Sequence, residues 1–401
     1  MGGTQAPDGQ NGGAHDGNAQ ELVVFSRSLI PTLRERAARA WDLRRLPDET
    51  IADIEDAGLL RFAMPPRFGG VQGSHEQLAE VLTNLALGCG STSWTVGIYM
   101  TAPHFLSVMS DEAQEEVFSK PGARACVSFL PTGKAVACPG GYTVSGQWRF
   151  CSGQHHAQFA LLSTFAQSAD GADLGPAQMI VPRSQLELVD DWDVSGLRGS
   201  GSNSLIARDV FVPAHLGVLL AEVDEAKASK LRVTDPYYQI PLIPLFSSLS
   251  PYTPLGMAIA ALEIFSERVQ KRGITYTEYG RQADATVTQL QMAEAHMKLD
   301  QAKFHAERQQ RDTIAMQGYS GTLLERARCR ADMAWSVKLS REVAEIVQNA
   351  SGASSISNSD PLRRIIQDLE ALSLHSFILH STNAELYGRV LCGKDPGVVY
   401  I

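Results

Sequence analysis

The sequence predicts an α+β protein in three parts. A helical N-terminal domain (20–122) follows a disordered tail (1–19). A β-barrel-like or sandwich domain (123–235) comes next, and a C-terminal four-helix bundle (236–401) closes the chain. Two observations predict this order. The apolar period is three to four on both flanks and changes to two in the middle. The 401 residues are 44% apolar and 20% charged, an ordinary globular composition with enough chain for more than one sizeable core.

The elements follow in order. Residues 1–19 are rich in Gly, Asn, Asp and Gln, a composition without apolar surface to bury. ELVVFSRSLIPTLRERAARAWDL and HEQLAEVLTNLALG then carry apolar residues at helical spacing, and MPPRFGG between them is a turn. Between 123 and 218, ARACVSFL, GYTVSGQWRF, AQFALLSTF, AQMIVP, QLELVD and SLIARDVFVP alternate as strands do, with Gly140-Gly141 and Ser145-Gly146 as punctuation. Helices return with Met292, Ala295, Leu299, Ala302 and Ala306 on one face, then Trp335, Leu339, Val343, Ile346 and Ala350 ahead of a stop at Gly352. Asp360 and Pro361 read as the N-cap and first position of a last amphipathic helix carrying Leu362, Ile365, Leu369 and Leu372.

Composition excludes several function classes. The net charge is -9, so no basic field is present to collect nucleic-acid phosphates. The opening residues show neither the basic nor the apolar region of a signal peptide. Six cysteines lie scattered with no C-x-x-C pair, as expected of reduced thiols in a cytoplasmic protein. Stretch 236–262 has no charge but holds five prolines. It reads as a buried connector entering a helix, not as a membrane span. The best glycine cluster, Gly196 to Ser204, lacks the third glycine of a dinucleotide fingerprint and precedes a strand. Nicotinamide binding is therefore not expected. His155 and His156 are adjacent and would face opposite ways on a strand, so they do not chelate one ion together.

Three segments remain. The first is Gly90-Ser-Thr-Ser-Trp94-Thr-Val-Gly97 with Thr101-Ala-Pro-His104. The second is Ser145-Gly-Gln-Trp148-Arg-Phe150-Cys-Ser152-Gly153 with SGLRGSGSNS and DVFVPAH. The third is PLRRIIQDLEALSLH, ending at His375, with Tyr387-Gly388-Arg389 beyond it. In order and spacing these resemble the flavin-dependent monooxygenases of the acyl-CoA dehydrogenase fold, the family of the oxygenase components of 4-hydroxyphenylacetate hydroxylase, steroid-ring phenol hydroxylase and dibenzothiophene monooxygenase. The likeness runs from about residue 22 to 393.

The resemblance implies a homotetramer that binds reduced flavin, as FADH2 or FMNH2, between the β domain and the helices. It implies reaction with O2 through a flavin hydroperoxide and hydroxylation of an aromatic or phenolic substrate, such as a polyketide natural product. It places Ser152 beside the reactive edge of the isoalloxazine, Phe150 against the ring, and Ser200 and Ser202 near the flavin or its phosphate. It matches His104 and Ser128 to the family's substrate contacts and His375 to its catalytic histidine. A histidine titrates near working pH, so either is suited to taking a phenol proton, a step worth roughly a hundredfold or more in rate. Arg272 closes a helix over 255–271 and is a candidate for a flavin phosphate, although helix ends attract basic residues for dipole reasons alone.

The same stretch argues against a dehydrogenase. The position expected for the proton-abstracting glutamate falls near His375 or Ser376, and the diphosphate-holding R-x-x-F-G is replaced by Tyr276-Thr-Glu-Tyr-Gly-Arg281. Flavin taken up as a co-substrate follows, and with it a separate NAD(P)H:flavin reductase as partner. N-oxidation of an amine such as an amino sugar, acyl-CoA dehydrogenation and a non-catalytic scaffold are the alternatives.

Overall fold

A computed structural model describes residues 13–119, 122–223, 230–398 and 400–401. Six helices come first: α1 (Gly13–Ser28), α2 (Ile30–Leu43), α3 (Asp48–Asp56), α4 (His75–Gly88), α5 (Gly90–Leu106) and α6 (Asp111–Phe118). The tail expected over 1–19 is therefore helical from Gly13, and residues 1–12 lie outside the described residues. Ala19, Leu22 and Val23 are buried in the helical core, and this anchors the polar first turns. A capping box starts α4: Ser74 accepts from the Gln77 N–H and Gln77 answers the Ser74 N–H, so two end-of-helix donors are satisfied at once.

Seven strands follow: β1 (Ala125–Cys138), β2 (Gly141–Trp148), β3 (Phe159–Gln167), β4 (Asp173–Pro182), β5 (Glu187–Val189), β6 (Ser204–Pro213) and β7 (Gly217–Leu219). They form one sheet in the order β5-β6-β2-β1-β3-β4-β7. Pairing is antiparallel except for β1 with β3, whose register shifts between Ser128 and Gly133. The shift accommodates Trp148, which is fully buried and donates to the Ser163 carbonyl at 2.7 Å. A Cβ at Gly133 would stand 2.0 Å from that indole, so only glycine fits there.

The remaining helices are α7 (Lys230–Thr234), α8 (Leu242–Leu249), α9 (Tyr252–Val269), α10 (Thr286–Ile314), α11 (Leu323–Ser351), α12 (Pro361–Ser373) and α13 (His380–Leu391). The apolar stretch Leu242–Val269 is long enough to cross a bilayer, but 83% of its most apolar 18-residue window is buried inside the fold. Asp360 caps α12 by accepting the Leu362 N–H at 2.9 Å, with Pro361 at the first helical position. Gly352 ends α11 at φ +64°.

Two apolar cores result. One joins α1–α4 to α9–α12 through residues such as Leu33, Leu85, Phe265 and Val343. The other lies under the sheet around Trp148, Phe159, Ile180 and Leu205. Helix α5 belongs to both. Val96, Tyr99 and Met100 pack in the helical core, and Ala102, Phe105 and Leu106 pack under the sheet.

Candidate active site

Nearly every residue of α5 is buried, and from Gly90 to Thr101 the exceptions are Trp94, Gly97, Ile98 and Thr101. Their spacing of three, one and three puts them on one stripe of the helix. That stripe faces the seam between the sheet loops and the bundle, where Trp94 meets both Ser152 and His375, and this seam is the candidate cleft. Phe105 continues it one turn on.

At the Trp94 end the cleft holds a line of hydroxyls. The Trp94 Nε1–H donates to Ser152 Oγ at 3.1 Å. Ser152 Oγ lies 2.7 Å from Ser202 Oγ, which lies 2.7 Å from Ser200 Oγ. Ser200 Oγ donates to the Leu197 carbonyl at 2.7 Å. The loops that carry these serines are bound together, because the Gly153 N–H donates to the Ser200 carbonyl at 2.9 Å. Two residues before Ser152, Phe150 holds φ +62°. A bulky residue in that region costs about 1–3 kcal/mol. The residue is 57% exposed, with its ring edge-on to Trp192 at 6.0 Å. A strained backbone that presents an aromatic face to an open cleft fits a planar ring system as guest.

The bundle closes on this loop at one point. A Cβ at Gly196 would stand 2.0 Å from the Gln367 carbonyl, so the glycine lets the loop lie directly on α12. The next residue, Leu197, donates its N–H to Asp368 Oδ1 at 2.6 Å. Burial raises the Asp368 pKa to about 7, with the Leu197 N–H acting in the opposite sense.

His375 stands in the turn after α12, which ends at Ser373, and not on the helix face that its spacing from Leu372 suggested. It is exposed, and its ring lies edge-on to the Trp94 indole, with centroids 5.4 Å apart at 64°. Protein crowded around the ring, and secondly the Arg330 guanidinium, hold its pKa below the ordinary histidine value. The Phe377 N–H donates to its Nδ1 at 3.3 Å. The neutral ring therefore carries its proton on Nε2 and offers the cleft a donor. Arg330 is buried and forms no ion pair among the described residues; it donates to Asn383 Oδ1, the Tyr400 carbonyl and the Phe377 carbonyl at 2.8, 2.6 and 3.0 Å.

The Phe105 end is an aromatic wall. Phe105 lies 4.5 Å from Phe129 and 4.4 Å from Phe246, ring centre to ring centre. Ser128, the neighbour of Phe129 at the shifted register of β1, donates to the Arg149 carbonyl at 3.4 Å. Ser128 thus stands between the Ser152 loop and the wall.

The structure brings Phe150, Ser152, Ser200, Ser202 and His375 together, with Ser128 at the margin. Two expected site residues stand apart from this group. His104 is fully buried against His75, Tyr237 and Tyr238, with ring centroids at 5.5, 4.9 and 5.0 Å. Burial drives its pKa well below the histidine value. On α5 it lies seven residues beyond Gly97 and so borders the Trp94 stripe, with its ring covered by those neighbours. Arg272 follows α9 and donates to Ser354 at 2.9 Å, so its bond is to the turn beyond α11 and to no cleft residue. His155 and His156 have structural partners, donating to Asn203 Oδ1 and the Leu46 carbonyl at 3.0 and 3.1 Å. Sequence reasoning missed the roles of Trp94, Asp368 and the three phenylalanines. The only signal for them was an indole in a Gly/Ser-rich helix start.

The fold and the cleft define a protein of the acyl-CoA dehydrogenase superfamily. Its N-terminal domain profile matches residues 26–124 and its C-terminal domain profile residues 251–379. The chain is 31% identical over 384 residues to the flavin-dependent monooxygenase oxygenase subunit HsaA of Mycobacterium tuberculosis, covering 95% of this chain and 97% of the relative. It is 28% identical to the p-hydroxyphenylacetate 3-hydroxylase oxygenase component of Acinetobacter baumannii, covering 95% and 91%. The structure of XiaF from Streptomyces sp. in complex with FADH2 and glycerol superposes with a TM-score of 0.89 at 29% identity, covering 96% of this chain and 98% of that one. Within the superfamily, the chain belongs to the oxygenase components of the flavin-dependent monooxygenases, enzymes that use reduced flavin and O2.

Proposed function

We propose that this oxygenase hydroxylates a phenolic or polycyclic aromatic substrate, with reduced flavin delivered by a separate NAD(P)H:flavin reductase. The observation that carries the reading is the half-exposed stripe of α5, which starts at Trp94 beside Ser152 and His375 and leads one turn on to Phe105. Phe150, Ser152 and Trp94 occupy one end, His375 faces them, and the Phe105, Phe129 and Phe246 rings form the other end. Phe150 would pack on the isoalloxazine, and Ser152, backed by Ser202 and Ser200, would meet its reactive edge. Reduced flavin, when bound, supplies the electrons that activate O2. The protein's part is to exclude water from that edge and to hold the substrate. The aromatic wall buries the ring of the substrate, and the His375 Nε2–H donates to its oxygen, so that negative charge developing there is stabilised. Ser128 is placed to add a second polar contact.

These residues are aromatic rings, hydroxyls and one imidazole, without a carboxylate, which favours a phenol over an amine. Glu370 is exposed on α12, which disfavours the dehydrogenase reading. On α10, Leu290, Met297 and Phe304 are 67%, 61% and 55% exposed at seven-residue spacing. Such a stripe is suited to bury against further copies in a homotetramer. The described cysteines are all free thiols, in keeping with a cytoplasmic enzyme.

The test is single-turnover mixing of the anaerobic reduced-flavin complex with O2 and a series of phenols, scoring hydroxylated product against hydrogen peroxide. Coupled product is expected. His375→Ala should lower coupling by a hundredfold or so at unchanged affinity for reduced flavin. Peroxide as the sole product with every phenol, alongside turnover of amines, would overturn the proposal.

A further inference from the structure

The hydroxyl line at the Trp94 end has a direction, which follows from counting protons. The Leu197 carbonyl only accepts, so the short contact from Ser200 Oγ uses the Ser200 proton. Ser200 Oγ must then accept from Ser202, whose proton is thereby committed. Ser202 Oγ must in turn accept from Ser152. The indole N–H only donates, so Ser152 Oγ receives it. Every bond points the same way, from Trp94 through three serines to Leu197. Aligned hydroxyls polarise one another and strengthen the sequence.

Reversal is obstructed at the far end. It would leave Ser200 Oγ and the Leu197 oxygen 2.7 Å apart with no proton between them. That oxygen is held in place, since it also accepts the Ser200 N–H at 3.0 Å and the Trp192 indole N–H at 3.2 Å. The N–H of Leu197 itself is tied to Asp368.

We propose that this line fixes the Ser152 hydroxyl as a hydrogen-bond acceptor toward the flavin and so selects the reduced cofactor over the oxidised one. The inference rests on reading the cleft as the flavin site. Ser152 Oγ has one proton and two lone pairs. The proton goes to Ser202, one lone pair takes the indole N–H, and one lone pair is left. Two-electron-reduced isoalloxazine carries an N–H at its reactive edge, and the oxidised ring carries a bare lone pair there. The first pairs with Ser152. The second confronts it acceptor to acceptor. An unanchored serine would rotate and serve both forms alike. Such selectivity suits an oxygenase that draws its flavin from solution, where the oxidised form competes.

The experiment is anaerobic titration of the full-length protein with reduced flavin and, separately, with oxidised flavin, read by flavin absorbance or fluorescence. The wild type should bind the reduced form about tenfold or more tighter, the discrimination of about one hydrogen bond. Ser200→Ala removes the anchor and frees the line to reverse. The ratio should fall about tenfold, mainly through tighter oxidised-flavin binding, and the potential of the bound flavin should move by about 30 mV toward the free value. Ser202→Ala takes away the acceptor of the Ser152 proton and should act in the same sense, which keeps the test available if the first variant folds poorly. Trp94→Phe deletes a donor without altering the direction and should retain the selectivity. Equal affinity for both forms in the wild type, or an unchanged ratio in folded Ser200→Ala and Ser202→Ala, overturns the inference while leaving the site intact. Failure to bind either form overturns the flavin reading as well.

Discussion

Asp368→Asn tests the latch between the bundle and the hydroxyl loop. The Asp368 pKa rises from 3.8 to about 7 on burial. At 1.36 kcal/mol per unit, the ionised carboxylate is penalised by about 4 kcal/mol in the folded state. The sign follows from proton counting. Between pH 3.8 and about 7 the native protein holds this proton more tightly than the unfolded chain, so the contribution to stability falls as pH rises through that window. About two of the three units lie above pH 5, so wild type should lose about 3 kcal/mol at this site between pH 5 and pH 8. Asparagine keeps an oxygen for the Leu197 N–H and cannot ionise. Its stability relative to wild type should therefore rise by about 3 kcal/mol over the same interval. Urea unfolding of both proteins at both pH values measures this, and taking the difference cancels the other titrating groups. Asp368→Ala, which leaves the buried N–H without an acceptor, should be about 1–3 kcal/mol less stable than Asp368→Asn at either pH. A difference between Asp368→Asn and wild type that does not move with pH would refute the reasoning, for it would mean that the carboxyl ionises in the fold as freely as in water.

Three further outcomes are expected. His104 has both ring nitrogens buried without partners among the described residues, and His75 is buried beside it. Burial lowers the His75 pKa to about 4 and that of His104 well below 6.5, so their contribution is complete above about pH 6.5 and is lost as pH falls toward 4; His75→Phe should flatten the acid limb of an unfolding profile, and His104→Phe should keep substrate hydroxylation, whose loss at intact flavin binding would return His104 to the cleft. Phe246→Ala opens the aromatic wall and should raise KM for an aromatic substrate about tenfold or more without changing reduced-flavin affinity, as steady-state kinetics and flavin titration would show; an unchanged KM would place the substrate elsewhere. Leu290→Arg with Met297→Glu puts charge on the exposed α10 stripe and should yield a smaller species in light scattering, and an unaltered mass would free that face of an assembly role.

Much of the fold was legible because burial imposes a period. The stripe Met292, Leu299, Ala306 and the cap Asp360-Pro361 state the helices α10 and α12 outright, and alternating runs state β2, β3 and β6. Where burial surrounds an element, the period vanishes. Helix α5 is apolar nearly all round, so neither its open stripe nor the cover of His75, Tyr237 and Tyr238 over His104 can be read from spacing. The start of α1 was obscured because composition weighs Gly13 to Asn18 by themselves, whereas the helix is held by Ala19, Leu22 and Val23 downstream. The turn at His375 had no Gly or Pro to announce that α12 stops at Ser373. Phe150, Ser152, Ser200 and Ser202 were assigned by family likeness, since a serine next to a glycine reads locally as a turn. Asp368 and Arg272 show the limit from the other side. Their place on a helix was readable and their partners were not, because those partners lie 171 and 82 residues away.

Helix α5 is also a ruler. Trp94 and Phe105 are eleven residues apart on one rigid rod, a separation of about 16 Å at 1.5 Å per residue. The span between the indole and the phenyl wall is thus set by peptide geometry, not by how loops happen to settle. Adding or removing a single residue between them would swing one end by about 100° relative to the other and aim the two rings into different rooms. A connector elsewhere can change length and leave that span intact, whereas a single insertion in this segment cannot.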